Sequence, residues 1–510
     1  MRAIGFDNEK YLEEQTAEIL RRADQFGNKL YLEFGGKLMY DYHAARCLPG
    51  YDPNVKLRLL RRLKENAEII LCIYAGDIER KKMRADFGIS YESDAMKLID
   101  DLRSWELSVC GVVITRFEGQ PSAVQFKNKL ERRGIRVYCH KKVPGYPNDV
   151  ELIVSEHGYG ANEYVPTSKP IVVVTGPGPG SGKLATALTM LYHDCRNGRP
   201  AGYAKFETFP VWNIPLKHPL NLAYEAATAD LRDVNLIDPF HLEAHGEVAV
   251  NYNRDVEAFP VLRAIWNRID SRNRCPYQSP TDMGVNRIGF GIVDDAVVRE
   301  ASRQEIIRRH FRHLCDATRN GLVETCAIDR IDTLMKDLGI TPEDRRVVLP
   351  ARQAAQEAAA QGRGATAGAA CGGAIELADG RIVTGKNSPS LHAASATILN
   401  AVKVAAGIDD GCYLLAPEVV ASIVKMKHEI LKNKYSSLNL DETLIGLAMS
   451  AAMAGGDAAK RALGALPALR SCEMHVSHLL TPGDEAGLRR LGIRYTTDPL
   501  FSTAELFIDG

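Results

Sequence analysis

The sequence has no Cys-x-x-Cys pair anywhere, and its 11 cysteines are odd in number and scattered. That excludes a disulfide framework and a structural zinc ribbon, and reduced thiols are expected. No apolar run approaches the roughly 18 residues that span a bilayer. No charge of one sign dominates: Lys+Arg and Asp+Glu each total 64, so no basic field draws the chain to nucleic acid. The dibasic pairs, such as Arg61-Arg62 and Arg308-Arg309, lie among acidic residues and read as solvated faces. Residues 1–29 carry charges throughout and lack the apolar segment of a signal peptide. No Gly-x-Ser-x-Gly elbow is present. These absences lead to an expected cytoplasmic protein with neither a membrane nor a nucleic-acid partner; a homo-oligomer is compatible with the sequence.

What is present is an ordinary globular composition, 45% hydrophobic and 25% charged over 510 residues, too long for one core. Helix-like stretches near 9–26, 55–66, 93–105 and 123–133 alternate with apolar runs at 30–34, 69–74, 109–115, 135–139 and 171–175. That alternation implies an α/β fold with a mostly parallel, doubly wound N-terminal sheet. From Gly198 to Asp255 polar and aromatic residues interleave with weak periodicity, which reads as an irregular segment of the kind that often carries function. Three helical stretches follow, at 259–274, 296–314 and 328–338. The expected organisation is an α/β domain over 1–255, a mainly helical subdomain over 256–350, an Ala/Gly-rich linker over 351–370 and a C-terminal α/β domain over 371–510.

The densest chemical signal is Val172-Val173-Val174-Thr175-Gly176-Pro177-Gly178-Pro179-Gly180-Ser181-Gly182-Lys183. An apolar strand feeds a glycine loop ending in Gly-Lys and opening into a helix, the arrangement in which backbone amides and a lysine cradle a phosphate. Gly176, Gly178, Gly180, Ser181, Gly182 and Lys183 are therefore the candidate binding residues, and a nucleotide with Mg²⁺ is the cofactor class such a loop would take. The pattern is degenerate. Pro177 stands at the first-glycine position, Pro177 and Pro179 remove two N–H donors, and Leu184 replaces the hydroxyl that reaches magnesium. The loop also follows about the fifth strand, not the first of its domain. A rigid Pro/Gly turn is the alternative reading.

Within the polar segment Lys205, Glu207, His218 and Arg254 are the candidates for substrate contact or catalysis. Phe290-Gly291-Ile292-Val293-Asp294 reads as an apolar strand with an acidic end, which makes Asp294 a weak candidate for magnesium; capping of the next helix is the competing role for its neighbour Asp295. His241 and His245 share a helix face, and His310 and His313 lie three apart, but neither pair has an evident third ligand, so zinc is not expected at either.

Near the C-terminus Asp379-Gly380, Thr384-Gly385, Asn387 and His392-Ala393-Ala394 resemble the opening of the cytidine deaminase fold. The resemblance implies deaminase-like topology. It does not extend to the chemistry: Ala394 occupies the general acid/base glutamate position and no Pro-Cys-x-x-Cys follows. Over nearly its whole length the chain resembles an uncharacterised bacterial family of about 500 residues, through Leu32–Lys37, Asp41–Arg46, Gly176–Lys183, Lys205–Pro210 and Asp238–Glu243. That resemblance implies a cytoplasmic bacterial protein and supplies no reaction. The functional expectation is binding of a nucleotide or another phosphorylated small molecule, with phosphoryl or nucleotidyl transfer as the reaction class. The alternative is a non-catalytic ligand-binding or assembly protein.

Overall fold

The continuous apolar runs become strands covered on both sides, as parallel sheets require. In chain order these are β1 (Leu30–Phe34) and β2 (Ala67–Tyr74), a separate small hairpin of β3 (Met83–Arg84) and β4 (Ile89–Ser90), then β5 (Val109–Thr115), β6 (Val137–His140), β7 (Ile171–Thr175) and β8 (Gly202–Phe206). The computed structural model describes residues 3–84, 88–270, 274–321, 325–362 and 369–503. The chain divides into two compact units, Ile4–Ser302 and a second beginning at Arg303.

In the first unit six strands pair in the order β6-β5-β2-β7-β1-β8, all parallel. Alternate residues face opposite cores. Ile70 and Cys72 of β2 meet Ala187, Leu188 and Leu191 of the helix Lys183–Arg196. Leu71 and Ile73 meet Ala95 and Ile99 of the helix Tyr91–Ser104, and Phe126 of the helix Pro121–Glu131. Helices thus cover both faces.

β7 lies between β2 and β1. The chain leaves β1 toward β2 on one side of β7, and leaves β7 toward β8 on the other. Right-handed crossovers send two such connections over opposite faces. The carboxyl end of β7 is therefore a topological switch point, where open α/β sheets bind their ligands.

Two sequence expectations change here. Residues 203–207, expected as part of an irregular polar run, are mostly strand: Lys205 of β8 lies beside Glu33 of β1. The rest of that run also has regular structure, with the helices Pro219–Ala227 and Pro239–His245 and an antiparallel hairpin of β9 (Asn235–Ile237) and β10 (Val250–Tyr252). Its periodicity was hidden because its polar side chains are buried: His218, Asn221, Asp233 and Asp238 are each no more than 2% exposed. Second, Phe290–Val293 is not a strand of the sheet. Ile288–Gly291 is a 3-10 turn, followed by one isolated bridge between Ile292 and Phe6.

The second unit carries the helices Thr325–Leu338 and Val348–Ala360. Residues 363–368, within the expected linker, lie outside the described residues. A separate mixed sheet follows: β11 (Gly372–Glu376), β12 (Ile382–Lys386), β13 (Glu473–Val476) and β14 (Arg494–Thr497) in the order β12-β11-β13-β14. β11 and β12 form an antiparallel hairpin, turned through Gly380 at φ 84°. Ile375, Met474 and Val476 share a core with Ala394, Ile398 and Leu447 from the helices Ala393–Ala406 and Leu440–Ala452. Arg345, 1% exposed, clamps the sheet by bonding Glu473, Thr496 and the carbonyls of Met474 and Arg494 at 2.7–3.1 Å. Among the described residues no helix is long and apolar enough to cross a membrane.

Candidate functional site at the carboxyl edge of the sheet

Thr175 ends β7, and the chain turns through Gly176–Gly182 into the helix Lys183–Arg196. Gly180 and Gly182 take φ of 72° and 89°, left-handed values glycine adopts without strain. Gly182 is the helix N-cap, so the first-turn amides face the loop. Gly176 is constrained by neighbours: a Cβ there would lie 2.4 Å from Ser181 Oγ and 2.5 Å from the Cys72 carbonyl. A Cβ on Gly178 would meet the Tyr91 hydroxyl at 2.5 Å.

Residues at the end of β5 hold this loop. Thr115 donates its hydroxyl to the Ser181 carbonyl at 2.8 Å. Arg116 donates to the Gly180 carbonyl, and its guanidinium lies 3.5 Å from the centre of the Tyr74 ring. Lys183 Nζ donates to the Gly178 carbonyl at 3.3 Å, and among the described residues no carboxylate pairs with it. Ser181 is 1% exposed and its hydroxyl has no hydrogen-bond partner. The loop thus presents a cation answered only by a carbonyl of the same loop, a buried hydroxyl and a helix N-terminus. Thr186, one turn into the helix, is fully buried beside the Cys72 thiol, in the core rather than in the loop.

A shallow cleft runs from Gly176 and Pro177 to Gly36–Tyr40 after β1, with Asp94, Lys97, Leu98 and Asp101 of the helix Tyr91–Ser104 on its wall. Lys56 braces the segment after β1. Its buried ammonium donates to the Lys37 carbonyl at 2.9 Å and to Asp41 at 2.8 Å. Burial alone would raise the Asp41 carboxyl, but the Lys56 charge holds it below its ordinary value.

At the end of β8 lies a dense ionic cluster. Lys205 Nζ donates to Asp255 and to the Tyr252 hydroxyl and sits 2.9 Å from Glu207. The Tyr252 hydroxyl donates to Glu207 at 2.9 Å. Glu207 packs against Gly35, where a Cβ would approach its carboxylate to 2.9 Å. One cation faces two carboxylates, and burial disfavours the second negative charge. Burial is the main reason the Glu207 carboxyl is pushed up to about 7, against the pull of Lys205. Burial works against the Lys205 charge too, yet Asp255, Glu207 and Glu33 hold its ammonium well above the usual range. Arg254 grips Asp233 through two bonds of 2.6 and 2.8 Å and lies over the Tyr252 ring, which ties it to the rim of this cluster.

The other sequence candidates have different partners. His218 caps the helix Pro219–Ala227 by accepting from Leu220 N at 3.1 Å, and its Nε2 lies 2.8 Å from Asp295; burial lowers its pKa. Asp294 accepts from Val297 N at 3.2 Å in the turn that starts the next helix. The His310 ring lies 2.8 Å from Asp332. Sequence reasoning missed Lys56, Thr115, Arg116, Tyr252 and Asp255 as supports. They come from four separate places in the chain: a helix after β1, the end of β5, the strand β10 and the helix that follows it.

In the second unit, His392 opens the helix Ala393–Ala406 and its Nδ1 lies 2.7 Å from Asp484 of the helix Pro482–Leu491. Asp484 also accepts from Leu440 N at 2.8 Å and the Thr481 hydroxyl at 2.8 Å. Burial opposes ionisation of Asp484, but the His392 bond lowers its pKa.

Residues 4–339 match the family model described as "Domain of unknown function DUF1846, N-terminal", and residues 343–507 match its C-terminal counterpart. Similar proteins include a UPF0371 protein of Clostridium botulinum (strain Eklund 17B / Type B), 54% identical over 506 residues, and one of the strain Alaska E43 / Type E3, 53% identical over 506 residues. Each alignment covers 99% of this chain and 99% of the relative. A glycine loop at the sheet's switch point, a braced cleft beside it and a separate mixed-sheet unit are thus how this chain builds the two parts that the family models describe, and the chain belongs to the DUF1846 family.

Proposed function

We propose that the first unit binds a phosphate-bearing small molecule, a nucleotide or a phosphorylated metabolite, at the carboxyl edge of its central sheet. The phosphate rests on the Gly176–Lys183 loop and the remainder of the ligand extends along the cleft toward Gly36–Tyr40. The observation that carries this reading is the state of the loop: among the described residues Lys183 bonds only the Gly178 carbonyl, at 3.3 Å, and the buried Ser181 hydroxyl has no partner. A buried polar group without a partner costs about 1–3 kcal/mol, which an incoming acceptor relieves.

Two strands away from the loop, Glu207 supports an enzymatic role, because a carboxyl with a pKa of about 7 both gives and takes a proton near neutrality. Strand spacing places the ends of β7 and β8 roughly 10 Å apart, the scale of a nucleotide's phosphate tail. Phosphoryl or nucleotidyl transfer relies mainly on positioning and charge stabilisation, which suits such a site. Leu184, in place of a magnesium-reaching hydroxyl, favours the second reading, a ligand-binding protein that does not hydrolyse.

For the second unit, the strand order β12-β11-β13-β14 and the position of His392 support a deaminase-like arrangement in which a histidine–aspartate bond joins the two helix starts. With Ala394 in the glutamate position, no deaminase activity is expected of it.

The test is a thermal-shift screen of the full chain with nucleotides, phosphosugars and cofactor phosphates, with and without Mg²⁺. A ligand at 100 times its Kd adds about 2.7 kcal/mol, and Lys183→Ala removes that gain. Turnover of the stabilising ligand establishes the enzyme; stabilisation without turnover establishes the binding protein. A wild type that no phosphate compound stabilises, or a Lys183→Ala chain that is stabilised equally, overturns the proposal.

A further inference from the structure

Asp238, fully buried, fastens two short helices together. One carboxylate oxygen accepts from Phe240 N and His241 N at 3.0 and 3.1 Å, in the first turn of Pro239–His245. The other accepts from Thr281 N and the Thr281 hydroxyl at 3.2 and 2.7 Å, in the helix Pro280–Met283. This staple brings Asp282 to the helix face that His241 and His245 share. The sequence showed two histidines four apart without a third ligand; the fold supplies it from about 40 residues downstream.

The three groups converge. Asp282 Oδ1 lies 3.4 Å from His241 Nδ1 and 3.0 Å from His245 Nε2. One ligand atom from each residue falls within 4.8 Å of the others. Tetrahedral zinc, with bonds of about 2.0–2.2 Å, places its ligand atoms roughly 3.4 Å apart, so the pairs already stand near that spacing. The second oxygen of Asp282 accepts from the amides of Gln278 and Ser279 at 3.0 and 3.1 Å and also lies 3.0 Å from His245 Nε2, which fixes the carboxylate against the histidine pair. The Ser279 hydroxyl, fully buried, sits 3.0 Å from His241 Nδ1. That hydroxyl holds the nitrogen an ion would take and must release it on binding; the backbone amides on Asp282 are the support a metal site requires beyond its first contacts.

We propose that His241, His245 and Asp282 bind a first-row divalent transition ion, Zn²⁺ by the chemistry of the set. Two imidazoles and one carboxylate suit zinc rather than magnesium or calcium, which take oxygen ligands. Three protein ligands leave a fourth position for water or a ligand, the composition of a reactive rather than a structural site. His241 is buried while His245 is 34% exposed, so the open position lies on the solvent side. The site is independent of the phosphate loop, and its test does not involve a phosphate ligand.

The chain is stripped with chelator, dialysed against Zn²⁺ and assayed for bound metal, then titrated with Co²⁺, whose visible absorption distinguishes tetrahedral coordination. Trp212 lies beside His241, with ring centroids 6.3 Å apart, so Co²⁺ also quenches tryptophan emission. The expected result is one ion per chain, with Co²⁺ displaced by Zn²⁺. His245→Ala, at a partly exposed position where folding is not at risk, lowers affinity by more than the roughly 10–100-fold that loss of a supporting group costs. Asp282→Asn, which keeps a capping oxygen but loses the charge, lowers it as well. Failure to retain Zn²⁺, or equal stoichiometry and affinity in His245→Ala, overturns the assignment.

Discussion

Two strand ends on the same edge of the central sheet have opposite electrostatic characters. After β7, the Gly176–Lys183 loop presents donors in excess: a lysine without a carboxylate among the described residues, a buried hydroxyl without a partner and a helix N-terminus. After β8, Lys205 is answered by Asp255, Glu207 and the Tyr252 hydroxyl, and Arg254 is answered by Asp233. The first region has donors to spare; in the second each cation has its carboxylate. Charge saturation therefore separates the two strand ends better than charge content does. Within the saturated cluster Glu207 is the exception, because one cation cannot neutralise two buried carboxylates.

The largest test of this contrast is Lys205→Met. It leaves Asp255 and Glu207 buried without their cation, and breaking such a cluster costs about 3–5 kcal/mol. Urea denaturation measures the loss, and adding Asp255→Asn to Lys205→Met recovers part of it. A loss below about 1 kcal/mol, the ordinary size for an exposed pair, would erase the distinction between the two strand ends.

Lys183→Ala is the counterpart. The unliganded chain keeps its stability within about 0.5 kcal/mol, while the roughly 2.7 kcal/mol gain from saturating ligand disappears. The same substitution class is thus costly after β8 without ligand, and after β7 only with it.

Glu207→Gln sharpens the contrast through pH. Its carboxyl lies at about 7 in the folded chain against an ordinary 4.5. Between those values the folded state holds a proton that the unfolded state releases, so the Glu207 contribution to stability falls as pH rises from about 4.5 to 7. Glutamine does not titrate. The stability of the variant relative to wild type therefore improves across that window, by roughly 1–3 kcal/mol, in thermal melts at pH 4.5, 6 and 8. A pH-independent difference would contradict the raised carboxyl.

The smallest effect belongs to Gly180→Ala. No neighbour lies within 4 Å of a Cβ there, and φ is +72°, so the penalty is backbone strain alone, about 1 kcal/mol. Isothermal titration separates this from a loss of ligand affinity.

The strands that were mostly apolar were legible in the sequence almost to the residue. Leu30–Phe34, Val109–Thr115 and Ile171–Thr175 stand where the apolar runs placed them, because strands covered on both faces need side chains that are mainly apolar. β8 was not legible: Lys205 interrupts its pattern, and only tertiary pairing with Asp255, about 50 residues on, makes a lysine tolerable there. The partner of His218 was hidden for a similar reason, since its contact with Asp295 reaches a helix start nearly 80 residues away. The glycine loop was readable because its chemistry is local. Lys56, Thr115 and Asp282 were not, because each acts on a segment that reaches it only through the fold.

The position of β7 has a consequence for how the chain is made. β1 emerges first, but its neighbours are β7 and β8: Leu30 pairs with Ile171 and Gly202. β2 likewise waits for β7 on one of its edges. A nascent chain synthesised at about 5–20 residues per second therefore carries open strand edges for several seconds before the middle strand arrives. High separation between paired strands also slows folding. β7 is the keystone laid last but one, and the glycine loop is fixed by the same insertion. Assembly of the sheet and the setting of the Gly176–Lys183 turn are thus a single event in the life of the polypeptide.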